Sequence, residues 1–175
     1  MKLSIIIPAY NEEDRIVQTL SESLAYLERQ PYQSEIRVIS DGSRDATGQV
    51  VNNFQPPPNA SIHFHEYHPN RGKGYAVRYG MLKGRGDIIM FMDADYSVPM
   101  RAVEDGFALI ESGCHIAIAS RAVQGARISH HQNRAREWSA RIYTAVQNSY
   151  LGIAYPDTQC GFKLFTRDAA HLLFA

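Results

Sequence analysis

A chain of 175 residues is long enough to bury one core of ordinary size and too short for two large domains. Lys plus Arg and Asp plus Glu both number 18, so no net field draws the whole molecule to nucleic acid. Cys114 and Cys160 give no disulfide framework and read as reduced thiols, and no run of about 18 apolar residues offers a membrane span.

Met1-Lys2 leads straight into a β-branched strand, Leu3–Ile7, which Pro8 is expected to end, with no signal peptide visible. A helix is predicted from about Asn11, with Glu12, Glu13 and Asp14 in its first turn; Ile16, Leu20, Leu24 and Leu27 then mark one buried face. Ile36–Ile39 reads as a second strand, followed by the turn Asp41-Gly42-Ser43 and a short helix through Val50, Val51 and Phe54. Beyond the Pro56–Asn59 loop, Ile62–Tyr67 alternates like a third strand. Asn70–Gly74 opens a helix that closes by Gly84. Ile88–Met92 is apolar on both faces, the pattern of a central strand in a parallel sheet. A helix over Met100–Ile110 and a fifth strand over His115–Ala119 complete an alternating series, which predicts an α/β fold with a doubly wound sheet and right-handed crossovers. From Arg121 the pattern changes to a polar loop, a helix around Trp138–Leu151, a break at Tyr155-Pro156-Asp157, a late strand Phe162–Phe165 and a helix from Arg167 to the end. Stopping inside the apolar run Leu172–Ala175, the chain reads as lacking a C-terminal piece. The expectation is one domain over residues 1–175, with a substrate-binding half to residue 95 and an acceptor half beyond it.

Asp93-Ala94-Asp95, at the mouth of the Ile88–Met92 strand, is the strongest chemical signal. Unpaired carboxylates cost several kcal/mol each to bury, about 2–7 for polar groups and more for charges, so packing does not place them at the end of an apolar strand. A divalent cation, Mg²⁺ or Mn²⁺, offsets that cost and grips a phosphorylated substrate. Pro8–Glu12 and Asp41–Ser43 end two further strands, and in a parallel sheet all three ends lie together, where open α/β sheets bind ligands. Asp41 can accept from a base or ribose, Tyr10 offers a stacking face, and Lys73 is placed to touch a diphosphate. Taken singly, Asp41 is an ordinary turn residue and Glu12 an ordinary first-turn acid. His63, His65 and His68 lack a further ligand at suitable spacing and read as edge histidines.

In this order, Ile5–Glu12, Asp41–Thr47, Asn70–Gly74 and Asp93–Asp95 resemble the family 2 glycosyltransferases. Asp157–Arg167 is similar to the dolichyl-phosphate glucosyltransferase branch of that family. The resemblance covers nearly the whole chain. It implies a GT-A fold, a nucleotide-sugar donor (UDP-glucose or GDP-mannose), a divalent cation and a polyprenyl phosphate acceptor. Pro8, Ala9, Tyr10, Glu12, Ile39 and Asp41 match positions that cradle the nucleotide, Asp93 and Ala94 continue that contact, and Asp95 matches the metal-binding acid. Two positions depart from the pattern. Ser40 stands where members often carry a second acid, and Ser97 where related mannosyl enzymes place a Gln metal ligand, so water is expected to complete the shell.

Between Arg121 and Arg141 lie Arg127, Arg134, Arg136, His130 and His131 against the single acid Glu137. Arginine binds phosphate through two parallel hydrogen bonds. In the resembled branch Arg121 follows the fifth strand, and Arg134, Arg136 and Ser139 are the nearest matches to residues that hold the acceptor phosphate. Asp93, Asp95 and Arg121 are then the implied catalytic set. The expected reaction is one inverting displacement, with no general base because a phosphate is already ionised; a sugar hydroxyl would need one, for which Asp157 is the candidate. A lipid acceptor places the protein at the cytoplasmic face of a membrane, through a membrane-anchoring segment, a partner or the stretch near Trp138. Three other readings stay open: transfer to a saccharide hydroxyl, a haloacid-dehalogenase-type phosphatase using Asp93 and Asp95, and a non-catalytic nucleotide-binding module. Ser97 fits the phosphatase poorly, because that pattern places Thr or Val there.

Overall fold

A six-stranded sheet in the order β3-β2-β1-β4-β6-β5 organises the computed structural model, which describes residues 1–120, 147, 150, 152 and 160–175. Its strands are β1 (Leu3–Ala9), β2 (Ser34–Ser40), β3 (Ala60–Glu66), β4 (Ile88–Met92), β5 (Ile116–Ile118) and β6 (Phe162–Thr166). The described helices are α1 (Arg15–Glu28), α2 (Thr47–Asn52), α3 (Lys73–Lys83), α4 (Ala102–Glu111) and α5 (Arg167–Phe174). Met1–Ile118 with Gly161–Ala175 forms one compact unit and Ala119–Cys160 another; the sheet and these helices belong to the first. The helix expected around Trp138–Leu151 falls outside the described residues, apart from isolated positions.

β1, β2, β3 and β4 run parallel, as their alternation with helices predicts. Every residue of β1, β2 and β4 is buried, which is why β1 and β4 are almost wholly apolar without alternation, while β2 buries Glu35 and Arg37 as an ion pair. The late strand departs from expectation. β6 inserts antiparallel between β4 and β5, pairing Met92 with Phe162 and Ile118 with Lys163, so the fifth strand does not lie beside the fourth. Apolar content marks β6 as a strand, but nothing local in it specifies direction or neighbour.

Pro8 does not end β1, which continues to Ala9 opposite Ser40. The Ala9 carbonyl accepts from Asp41 N at 2.8 Å, so the alternate residue Pro8 faces β4. Pairing on that side has already stopped at Ile6 and Phe91, and the missing N–H of Pro8 leaves no acceptor unmatched there. α1 also starts later than predicted: Asn11 has φ 54° and Glu12 to Asp14 form a separate turn. Its buried face is the predicted one, with Ile16, Leu20, Leu24 and Leu27 all buried. Each such side chain contributes about 1.5–3 kcal/mol, and truncating Leu20 to Ala would cost about 2–5 kcal/mol.

α3 and α5 cover one face of the sheet through Ile6, Ile39, Ile89, Phe91 and Phe165, which pack with Ala76, Val77, Met81 and Ala170. Gly80 permits the close approach of α3, since a Cβ there would run into Ile6 and Ile39. α1 covers the other face, where Thr19 Oγ1 donates to the Ala94 carbonyl at 2.7 Å. No described helix is long and apolar enough to cross a membrane.

Candidate active site

The parallel strand order reverses between β1 and β4, and the carboxyl ends of those two strands open a cavity of about 480 Å³. Pro8, Ala9, Tyr10 and Glu12 line it from β1, Asp41 from β2, and Asp93, Ala94 and Asp95 from β4. Lys73 and Gly72, at the start of α3, form the remaining wall with Asn70, Ala76 and Arg15.

The turn after β1 is held by the loop after β2. Asn11 N donates to Ser43 Oγ at 3.1 Å, Glu12 N to Thr47 Oγ1 at 2.9 Å and Glu13 N to Asp45 Oδ2 at 3.1 Å. In return Asn11 Oδ1 accepts from Arg44 N and Glu13 Oε2 from Ala46 N. Burial alone would raise the Asp45 carboxyl, but hydrogen bonds from Thr47 and from the Glu13 N–H outweigh it and hold the group below its usual range. These side chains satisfy backbone donors of a loop rather than the first turn of a helix, the role expected for Glu12 and Glu13. Tyr10 is left 43% exposed at the rim, a free ring face for stacking. Ser40 is buried without charge and closes its turn by accepting from Ser43 N at 3.2 Å.

Asp41 ties the third wall together. Its Oδ1 accepts from Arg71 N at 2.7 Å, its Oδ2 from Gly72 N at 2.8 Å, and its carbonyl from Asn70 Nδ2 at 2.9 Å. With Asp41 only 3% exposed, both carboxylate oxygens are engaged in shaping the loop that delivers Lys73. Gly72 sits at φ 87°, a conformation that suits glycine and turns the chain into α3. Lys73 Nζ then reaches Asp93 Oδ1 at 2.5 Å. Asp93 is 26% exposed at its side chain, whereas Asp95 is exposed and accepts from Ser97 N at 3.0 Å.

Glu12 faces Arg15, whose Nη2 donates to Oε1 at 2.9 Å while Nε stands 2.7 Å from Oε2. The Oε2 contact is an ion pair without hydrogen-bond alignment, so that buried oxygen keeps acceptor capacity. Burial raises the Glu12 carboxyl above its ordinary value; Arg15 opposes this and the charge on Asp95 adds to it. Four carboxylates (Glu12, Asp41, Asp93, Asp95) against two cations (Arg15, Lys73) leave the cavity with an excess of two negative charges. An all-oxygen donor set with that excess fits Mg²⁺ or Mn²⁺. Among the described residues no three acidic, His or Cys side chains form a ready-made metal cage. A cation here would draw the rest of its shell from water and a bound phosphate, the usual habit of Mg²⁺.

Of the positions expected to hold a donor, Ile39 is the exception: its side chain is fully buried in the core against α3 and does not line the cavity. Ser97 is exposed beyond the rim, its N–H bonded to Asp95, and is also absent from the lining. Arg121, Arg134, Arg136, Ser139 and Asp157 lie outside the described residues, as do Trp138, Arg127, His130 and His131. The histidines on and after β3 bond separately, His65 with Arg37, His63 beside Glu35 and His68 with Glu66. Sequence reading singled out the Asn70–Gly74 block but gave a site role only to Lys73 within it, and it passed over Arg15 and Ala76. Arg15 could have been found, since three residues separate it from Glu12, the spacing of a helical ion pair; Ala76 carries no chemical signal at all.

The family model described as Glycosyl transferase family 2 matches residues 4–174. The chain belongs to glycosyl transferase family 2. Among curated family relatives, dolichyl-phosphate beta-glucosyltransferase of Drosophila melanogaster is 36% identical over 99% of this chain and 57% of its own length. The Homo sapiens protein of the same name is 31% identical, again over 99% and 57%. The chain thus spans little more than half the length of these relatives. Among solved structures, a mannosyltransferase from Pyrobaculum calidifontis in complex with GDP-Man and Mn²⁺ superposes with a TM-score of 0.65. It is 20% identical, with 98% of this chain and 46% of that one aligned, a likeness of fold. The fold is the GT-A glycosyltransferase architecture, a mostly parallel sheet flanked by helices.

Proposed function

We propose that this family 2 glycosyltransferase moves a hexose, glucose from UDP-glucose, onto a polyprenyl or dolichyl phosphate with inversion at the anomeric carbon. The observation that carries the reading is the cavity at the β1/β4 reversal, where Asp93, Asp95, Glu12 and Lys73 surround space for a diphosphate. Relatives named dolichyl-phosphate beta-glucosyltransferase, matched along nearly all of this chain, support the acceptor class and the glucosyl donor.

Tyr10 supplies a ring face at the rim for a base, and Asp41 shapes the loop beneath the donor. Lys73 meets the diphosphate from the start of α3, where the helix dipole also favours an anion. Asp95, exposed at the rim, would hold a divalent cation, with water and the donor phosphates completing its shell. That cation supplies charge neutralisation of the leaving nucleoside diphosphate. A phosphomonoester acceptor, with a second pKa of about 6, is mostly dianionic at neutral pH and needs no residue to deprotonate it. The protein's task is to hold two anions close together and in line, which costs orientation entropy rather than proton transfer. A lipid-borne acceptor puts the reaction at a membrane surface, on the cytoplasmic side where nucleotide sugars are available.

The test is a donor screen. The protein is incubated with UDP-glucose, GDP-mannose and other labelled nucleotide sugars, dolichyl phosphate and Mn²⁺, and the labelled lipid is identified. Glucosyl lipid with the β configuration is expected. Label on a saccharide acceptor alone, or nucleotide uptake with no transfer to any acceptor, would sink the reading.

A further inference from the structure

Gly161 precedes β6, and its carbonyl accepts the Asp93 N–H at 3.0 Å. A Cβ on Gly161 would overlap the Asp93 carboxyl group, whose carbon and two oxygens are the three heavy atoms nearest to it. Its φ lies outside the left-handed region, so the backbone does not call for glycine; the space does. Gly74, by contrast, has nothing within 4 Å of where its Cβ would lie, and the crowding is confined to the acid side of the cavity. Asp93 is therefore confined on two sides, its carboxyl group packed on the Gly161 backbone while Oδ1 receives the Lys73 ammonium.

We infer that Gly161 is a positioning residue: by leaving room for the Asp93 carboxylate it fixes the Lys73–Asp93 ion pair, and so the place of the Lys73 ammonium in the cavity. With its N–H held by Gly161, Asp93 can relieve a new Cβ mainly by turning about χ1, which lifts Oδ1 away from Lys73. That the ammonium then meets a nucleotide diphosphate rests on the function proposed above; the pairing itself does not.

The test compares wild type, Gly161→Ala, Asp93→Ala and the double variant by three readouts. The first is the rate at which an amine-acylating reagent modifies Lys73, followed by mass spectrometry with Lys83 as internal reference. Lys73 should react about two- to fivefold faster in Gly161→Ala, the range that loss of a partly exposed ion pair supports. Asp93→Ala should match it, and the double variant should add nothing further. An unchanged Lys73 rate in Gly161→Ala, or effects that multiply in the double variant, would overturn the inference. The second readout is Tm. If Gly161→Ala alone unfolds, the double variant should regain the Tm of Asp93→Ala, because the clashing atoms are gone; failure to regain it would make Gly161 a general packing residue and end the proposal. The third is calorimetric affinity for UDP and GDP with Mn²⁺, expected to fall in both single variants. Wild type that takes up neither nucleotide defeats the nucleotide-sugar reading, while the Lys73 rates still decide what Gly161 does.

Discussion

Two polar clusters sit on the same sheet and behave in opposite ways. Near the amino ends of β1 and β2, Glu35 is 1% exposed and both of its carboxylate oxygens are answered within the protein. Ser4 Oγ donates to it at 2.6 Å, Arg85 N at 2.8 Å, and Arg37 pairs with its second oxygen at 2.8 Å. At the carboxyl ends of β1 and β4, Glu12, Asp93 and Asp95 face a cavity with two cations among its lining residues, and the buried Glu12 Oε2 has no donor aligned to it. The physics of burial is the same at both places. What differs is whether the protein itself completes the acid's hydrogen bonds, and an acid left incomplete at the mouth of a cavity is the one that waits for a ligand.

The largest effect expected from this contrast is on stability at the sealed end. Glu35→Ala strands Arg37, itself 5% exposed, without its partner and should cost about 3–5 kcal/mol in urea unfolding. A loss below 1 kcal/mol would mean the two clusters do not differ as described. Next comes Asp95→Ala, which should leave urea unfolding nearly unchanged yet lower sugar transfer by about 100-fold or more, the scale seen when one charge-stabilising group is removed. Transfer within a factor of two of wild type would remove Asp95 from the site.

Asp41→Asn tests the boundary between the clusters, because Asp41 lines the cavity yet has its oxygens engaged. Its new amide N–H₂ would face the N–H of Arg71 or Gly72, donor against donor, at a cost of about 1–3 kcal/mol. A raised KM for the donor with little change in kcat is expected, since the damage reaches substrate through the Lys73 loop. The gentlest test is pH. Burial alone would raise the Glu35 carboxyl, but hydrogen bonds from Arg37, Ser4 and the Arg85 N–H hold it below its ordinary 4.5, so its stabilisation is present above that value and is lost as pH falls through the lowered one. Glu12 has the opposite sign: its raised value makes the ionised form a burden on the folded state, one relieved as pH falls through that raised value toward 4.5. Unfolding curves for Glu35→Gln and Glu12→Gln should therefore diverge from wild type in opposite directions at neutral pH. Parallel shifts would contradict the contrast.

Much of this was legible in the sequence, for identifiable reasons. Ile88–Met92 and the helix closing at Gly84 matched closely because burial on both faces and a glycine stop are local signals. That three strand ends meet at one cavity followed from parallel alternation alone. Ser34 and Glu35 were left outside β2 because an acid does not look like strand interior until Arg37 beside it is counted as its partner. The turn at Asn11 was read as helix because its stabilising partners, Ser43 to Ala46, lie more than 30 residues away. Gly161 gave no sign of its place against Asp93, since antiparallel insertion of β6 is a long-range choice that no window of sequence contains.

That insertion has a consequence for what sets the strand register. The chain leaves the sheet at Ile118 and re-enters at Phe162 on the adjacent strand, so the two feet of the intervening excursion stand about one strand spacing apart, roughly 4.8 Å. With both ends pinned that closely, the register of β5 and β6 is set by their own pairing rather than by the chain that joins them. The pairing of β6 with β4, which seats Gly161 against Asp93, lies wholly outside that connection.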